Sequence, residues 1–193
     1  MSHFVFIVFN DPEVVGVLNF LAEALNGRRW RQPPHLTIQG PLPNRPGADA
    51  LRAIEEKLKD DQLLIANPGL FETKRGVALY LRVQSENLIR VWNKPDFPVE
   101  KYGFEPHLTL YEGPDRERAL SAHAFLRSGR HRIEMICRDF KVVPYASKQA
   151  ELFPMLGSVG ALDAVQGLIS RGKVGSSFRA AFFAAINTDS QST

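Results

Sequence analysis

The sequence predicts a mixed strand-and-helix protein built as two similar lobes that face each other. Two observations carry that expectation. Pro-His-Leu-Thr occurs twice, at Pro34–Thr37 and Pro106–Thr109, with the two histidines 72 positions apart. Sliding the chain on itself by 72 also sets "FVFIVF" (Phe4–Phe9) on "GVALYL" (Gly76–Leu81), "GVLNF" (Gly16–Phe20) on "LIRVW" (Leu88–Trp92), and "LLIANPGLF" (Leu63–Phe71) on "MICRDFKVV" (Met135–Val143). Each half then reads strand, helix, motif strand, helix, strand. A single internal duplication is not a solenoid, which needs several stacked units.

The elements follow in order. "FVFIVF" is apolar throughout and reads as a first strand. The N-terminus has no basic region before that run and no small-residue cleavage site, so it does not read as a signal peptide. Asp11-Pro12-Glu13 is a helix start, with Asp at the N-cap, Pro at the first position and an acid in the first turn. Val14, Leu18, Leu21, Ala22 and Leu25 mark the buried face of that helix. After the first motif strand, Leu51, Ile54 and Leu58 mark a second helix. In the second half Ser85 can cap a helix with Leu88, Val91 and Trp92 inward. Asp115 can cap another, "DRERALSAHAFLRS". Residues after about Tyr145 have no counterpart in the repeat. Leu162, Val165 and Ile169 suggest one short helix, Phe178, Phe182 and Ile186 a second, and "NTDSQST" a frayed tail. This divides the chain into a domain at 1–145, with repeats at about 3–72 and 75–145, and a helical extension at 146–193.

Composition excludes several classes. With 193 residues, 44% hydrophobic and 23% charged, the chain is neither disordered nor fibrous. No apolar run approaches the roughly 20 residues that span a bilayer. The single cysteine, Cys137, cannot form an internal disulfide, which points to the cytoplasm. Net charge is only +3, but basic residues cluster at Arg28, Arg29 and Arg31 around Trp30, and at Arg127, Arg130, His131 and Arg132. Each cluster alone reads as a solvated turn; beside a phosphate it would be a basic rim.

In a strand, residues i and i+2 share a face. His35, Thr37 and Gln39 are therefore expected on one face, as are His107, Thr109 and Tyr111, with Leu36, Ile38, Leu108 and Leu110 turned to the core. Facing lobes would bring both His-x-Thr pairs across one cleft. Two imidazoles flanking a phosphorus can divide the proton transfers, because histidine titrates near neutral pH. Threonine hydroxyls can hold the non-bridging oxygens. A metal site is not indicated: the sequence has no Cys pair, no His-x3-His and no carboxylate at ligand spacing. No cofactor is implied. His3, His123 and His131 have no repeat partner of their own type and read as surface or structural.

On these motifs, His35-Leu36-Thr37-Ile38 and His107-Leu108-Thr109-Leu110, the sequence resembles the two-histidine (2H) phosphoesterase superfamily. The resemblance covers residues 1 to about 145. It is closest to the bacterial RNA 2′,3′-cyclic phosphodiesterase, or 2′-5′ RNA ligase-like, group. It implies an α+β fold of two lobes, each a small antiparallel sheet backed by helices, around a central groove. It implies metal-independent opening of a cyclic phosphate on a nucleotide or RNA end, with His35 the proton donor, His107 the acceptor, and Thr37 and Thr109 on the phosphate. Competing readings are a cyclic oligonucleotide or an ADP-ribose cyclic phosphate as substrate, or a non-catalytic RNA- or nucleotide-binding module.

Four further expectations concern substrate contacts. Tyr111, on the face of His107, would offer a ring for a nucleobase, and Gln39 a hydrogen-bonding counterpart. Tyr80 and Arg82, alternating along a neighbouring strand, would add a second ring and a charge. Lys74 and Arg75 would do so from the turn between lobes. The plainer reading of Tyr111 is that it closes its strand. Whether the extension packs on a lobe or serves an oligomer is left open.

Overall fold

The computed structural model describes residues 2–27, 33–128, 131–146 and 175–187. Its strands are β1 (His3–Phe9), β2 (His35–Leu42), β3 (Leu63–Thr73), β4 (Gly76–Gln84), β5 (His107–Gly113), β6 (Glu134–Cys137) and β7 (Phe140–Ala146). The helices are α1 (Pro12–Asn26), α2 (Ala48–Leu58), the single turns α3 (Leu88–Val91) and α4 (Val99–Tyr102), α5 (Arg116–Arg127), and α6 (Ser176–Asn187). The fold is α+β, with two antiparallel sheets ordered β2-β1-β7 and β5-β4-β3-β6.

Two of the expected helix starts hold, at Asp11 and Asp115, whereas α3 has Asn87 and not Ser85 at its N-cap. Asp11 accepts from the Glu13 and Val14 amides at the head of α1, and Asp115 accepts from the Arg118 amide at the head of α5. The Ser85 hydroxyl accepts from the Leu88 amide. The helix of the second half is far shorter than α1, because Pro95 and Pro98 lie just beyond it and cannot donate to a continuing ladder.

The sheets are not each made from one half of the chain. β3, from the first half, pairs with β4 and β6 of the second. The run Met135–Val143, read as one strand, is two. It breaks at Arg138-Asp139, with β6 completing the second sheet and β7 crossing to pair with β1. Asp139 explains the break: its carbonyl accepts from the Asn10 and Asp11 amides, locking the crossing point to the head of α1.

Each sheet has one face in the main core. Val5, Ile7, Phe9, Leu36 and Ile38 supply it from the first sheet, and Ile65, Leu79, Leu81, Val83, Leu108 and Leu110 from the second. α1 adds Leu18, Leu21 and Leu25 to the same core. The outer flank of α1 and α5 is closed by α6. Phe182 is fully buried there, 5.9 Å from the Phe20 ring and 5.5 Å from Phe125. Burying such a side chain is worth roughly 1.5–3 kcal/mol, so α6 is part of the body of the fold. The stripe Leu162, Val165 and Ile169 and the tail from residue 188 lie outside the described residues.

β2 and β5, the two motif strands, each occupy an edge of their sheet, and these edges approach one another. The molecule thus carries both His-x-Thr pairs along one seam.

Candidate active site

The two histidines are held alike. His35 Nδ1 lies 3.0 Å from the Pro33 carbonyl and His107 Nδ1 lies 2.8 Å from the Glu105 carbonyl, in each case two residues back. A carbonyl only accepts, so Nδ1 carries the proton and Nε2 keeps its lone pair. The intervening prolines, Pro34 and Pro106, have fixed φ, which sets the carbonyl under the ring. The recurring proline before each histidine is therefore part of the device, a signal present in the sequence.

Aromatic rings fix both imidazoles further. His35 stacks on Phe6 at 4.3 Å, and Phe6 stacks on Tyr145 at 4.7 Å. His107 is boxed by Phe71 at 4.8 Å, Tyr80 at 5.3 Å and Phe97 at 5.4 Å. The Tyr80 ring lies flat on Phe71 at 4.1 Å and across the bare backbone of Gly69, where an added methyl would overlap it. Tyr80 hydroxyl donates to Glu105 Oε1 at 3.0 Å and Arg82 Nε to the same oxygen at 2.8 Å. Glu105 is buried, so one acidic residue ties two β4 side chains to the turn that orients His107. Phe6, Phe71, Phe97 and Glu105 were not singled out by sequence, because an aromatic or acid in a strand or loop has many ordinary uses.

Thr37 and Thr109 stand beside their histidines, paired with Phe6 and Tyr80 across the ladders. Neither hydroxyl is engaged by another described residue, which leaves both able to donate to a ligand.

Tyr111 and Gln39 require a correction. In β5 Thr109 pairs with Tyr80 and Tyr111 with Leu79, leaving Leu110 as an extra residue. In β2 Thr37 pairs with Phe6 and Gln39 with Val5, leaving Ile38 extra. These matched bulges reverse the alternation just past each threonine. Tyr111 consequently joins the main core, its hydroxyl accepting from the Asp115 amide. The Gln39 amide donates to the Val91 carbonyl at 3.0 Å. Neither extends the His-x-Thr face.

Tyr80 and Arg82 do sit with His107, which pairs with Arg82 across the ladder. Lys74 and Arg75 do not. They form the β3–β4 hairpin turn inside one sheet, seven and eight residues before Arg82, or roughly 24 Å along the strand from it. Arg75 is spent on an exposed pair with Glu112. Of the basic clusters, Arg28–Arg31 and Arg130 lie outside the described residues. Arg132 pairs with Glu134, and His131 stacks on Phe125.

Burial is the leading cause that pulls the pKa of both imidazoles down, with Lys94 adding to it and the backbone carbonyls opposing. His35 falls below 6.5 and His107 falls to about 4. Both are therefore neutral in the empty site at pH 7. Lys94 is the charge that acts on both, and sequence reasoning missed it. Tyr80 is pushed above its usual range by burial and then by the Glu105 charge, so it remains a hydroxyl donor. Among the described residues no three of His, Cys, Asp and Glu gather as a metal site, and no helix is long and apolar enough to cross a membrane.

Two imidazoles held alike, each beside a threonine hydroxyl that no other described residue engages, are the groups a two-histidine phosphoesterase would need. The family model of the 2′-5′ RNA ligase superfamily matches residues 13–149, more than half of the chain. The chain belongs to that superfamily. None of the curated proteins matches it. Nor does any solved structure.

Proposed function

We propose that the protein opens 2′,3′-cyclic phosphates on nucleotides or RNA ends by metal-independent acid–base catalysis, with residues 1–145 as the catalytic domain. The observation that carries this reading is the pair of similarly held histidines, each with Nδ1 on a backbone carbonyl and Nε2 without a partner among the described residues. His107 Nε2 takes a proton from water as the water oxygen bonds to phosphorus. The bond from phosphorus to one ribose oxygen breaks, and that oxygen takes the proton of His35. The product is a phosphomonoester, and solvent restores the two protonation states. Thr37 and Thr109 donate to the non-bridging oxygens, whose charge must be held through the transition state.

The decisive assay is turnover of a 2′,3′-cyclic nucleotide with a 3′,5′-cyclic nucleotide as control. Turnover of the 2′,3′ isomer is expected to survive excess EDTA. Loss in chelator, restored by a divalent ion, would place the chemistry in another class.

The pH dependence has a definite sign. The productive free enzyme needs one imidazole charged and the other neutral. With both imidazoles held below 6.5, His107 at about 4, kcat/KM should peak on the acid side of pH 6.5 and decline as the remaining imidazolium is lost. A bound phosphodiester anion stabilises the imidazolium, so the alkaline limb of kcat should lie at higher pH than that of kcat/KM. A kcat/KM that climbs steadily to pH 8 would contradict this.

A further inference from the structure

The stretch from Trp92 to Pro98 bridges the two motif strands. Its start is pinned to β2: Asn93 donates to the Ile38 carbonyl at 2.8 Å and accepts from the Gly40 amide at 3.0 Å. Its end is pinned beside β5, where Phe97 packs on His107 at 5.4 Å and on Phe71 at 5.5 Å. Lys94 stands between these anchors, its Nζ 5.8 Å above the Phe97 ring. It is only partly exposed, and no carboxylate among the described residues lies within ion-pair distance of it. Burial draws its pKa down, with Asp96 opposing, and its charge is felt by both His35 and His107.

An ammonium drawn partly out of water, without a salt-bridge partner among the described residues and with its charge felt by both imidazoles, costs free energy in the empty protein. An anion placed between the histidines recovers it. We propose that Lys94 is a phosphate-binding residue of this site, its ammonium engaging a non-bridging oxygen of the substrate phosphodiester between His35 and His107. For the identity of that substrate the inference rests on the cyclic phosphodiesterase reading; the anion site itself does not. A consequence is that substrate partly cancels the Lys94 field on both rings, so the acid becomes charged chiefly when the phosphate is present. The same ammonium then faces the charge that grows on the phosphoryl oxygens in the transition state.

The test is an NMR titration of the histidine ring protons with inorganic phosphate, run on wild type, Lys94→Met and Lys94→Arg, with 2′,3′-cyclic nucleotide kinetics on the same samples. The ring spectra also report that each variant is folded. Lys94→Met is expected to raise the pKa of both His35 and His107, to weaken phosphate binding by tenfold or more, and to lower kcat/KM by about 10²-fold. Lys94→Arg should retain most of the phosphate affinity. Unchanged phosphate affinity and unchanged histidine titrations in Lys94→Met would overturn the proposal. The outcomes separate the two ideas. A wild type inactive on cyclic nucleotides whose phosphate binding still collapses in Lys94→Met leaves the anion site standing without the cyclic phosphodiesterase reading. An active wild type whose Lys94→Met binds phosphate normally does the reverse.

Discussion

His107→Ala is expected to lower turnover of a 2′,3′-cyclic nucleotide by roughly 10²–10⁴-fold, the range of a single general acid or base. His35→Ala should do the same. The double variant should fall within about tenfold of the worse single variant, because both imidazoles serve one transition state and neither proton transfer is useful alone. Additive losses would mean that the two rings act in separate events. Truncating His107 also empties the space between Phe71, Tyr80 and Phe97, so His107→Gln is the companion that keeps the box filled. A second readout marks the same residue. Its folded pKa is about 4, against about 6.5 when unfolded, so the unfolded chain binds more protons as pH falls between those values. Wild type should therefore lose stability on acidification, by about 2 kcal/mol between pH 8 and pH 5 from this group. The His107→Gln variant should lack that component. A variant that keeps full turnover removes His107 from the mechanism, whatever its stability.

How much of this could be read from the sequence depends on the range of each interaction. The face shared by His35 and Thr37, and by His107 and Thr109, follows from the two-residue period of a strand. That period is local, and it holds up to the threonine. It fails at the next residue, because Ile38 and Leu110 look like ordinary apolar strand residues and nothing in their chemistry announces a bulge. One unpaired residue was enough to move Tyr111 from the His-x-Thr face into the core. The exchange of β3 and β7 between sheets was hidden for a different reason. It is set by pairing with strands far away in sequence, and Arg138-Asp139 is a weak interruption in an otherwise apolar run. Lys94 was invisible to the repeat altogether. The duplication aligns it with a residue of α1, whereas the second half has replaced that long helix by one turn and a proline-bounded bridge. The duplicated pattern thus located the two histidines, and the departure from duplication supplied the proline-bounded bridge that carries Lys94.

Glu105 offers the second large effect. It is 5% exposed, and its Oε1 accepts from both Tyr80 and Arg82 while its own carbonyl accepts from His107. Glu105→Leu keeps the carbonyl but removes the carboxylate. The Tyr80 hydroxyl would be left buried without this acceptor, which costs about 1–3 kcal/mol. Arg82 contributes less, because its side chain is 41% exposed and can turn to water. A net loss of about 2–3 kcal/mol corresponds to roughly 5–10 °C in Tm for a chain of this size. Function should suffer beyond stability. With the carboxylate gone, neither β4 side chain holds the turn from which His107 is oriented, so kcat should drop at temperatures where the variant is fully folded. Glu105→Gln separates the causes. Its amide oxygen can still accept from Tyr80 and Arg82, so it should recover most of both Tm and kcat even though the charge is gone. Thermal unfolding and steady-state kinetics on the two variants decide the matter. If Glu105→Leu melts with wild type and turns over normally, the carboxylate anchors nothing, and the orientation of His107 rests on its proline and its aromatic box alone.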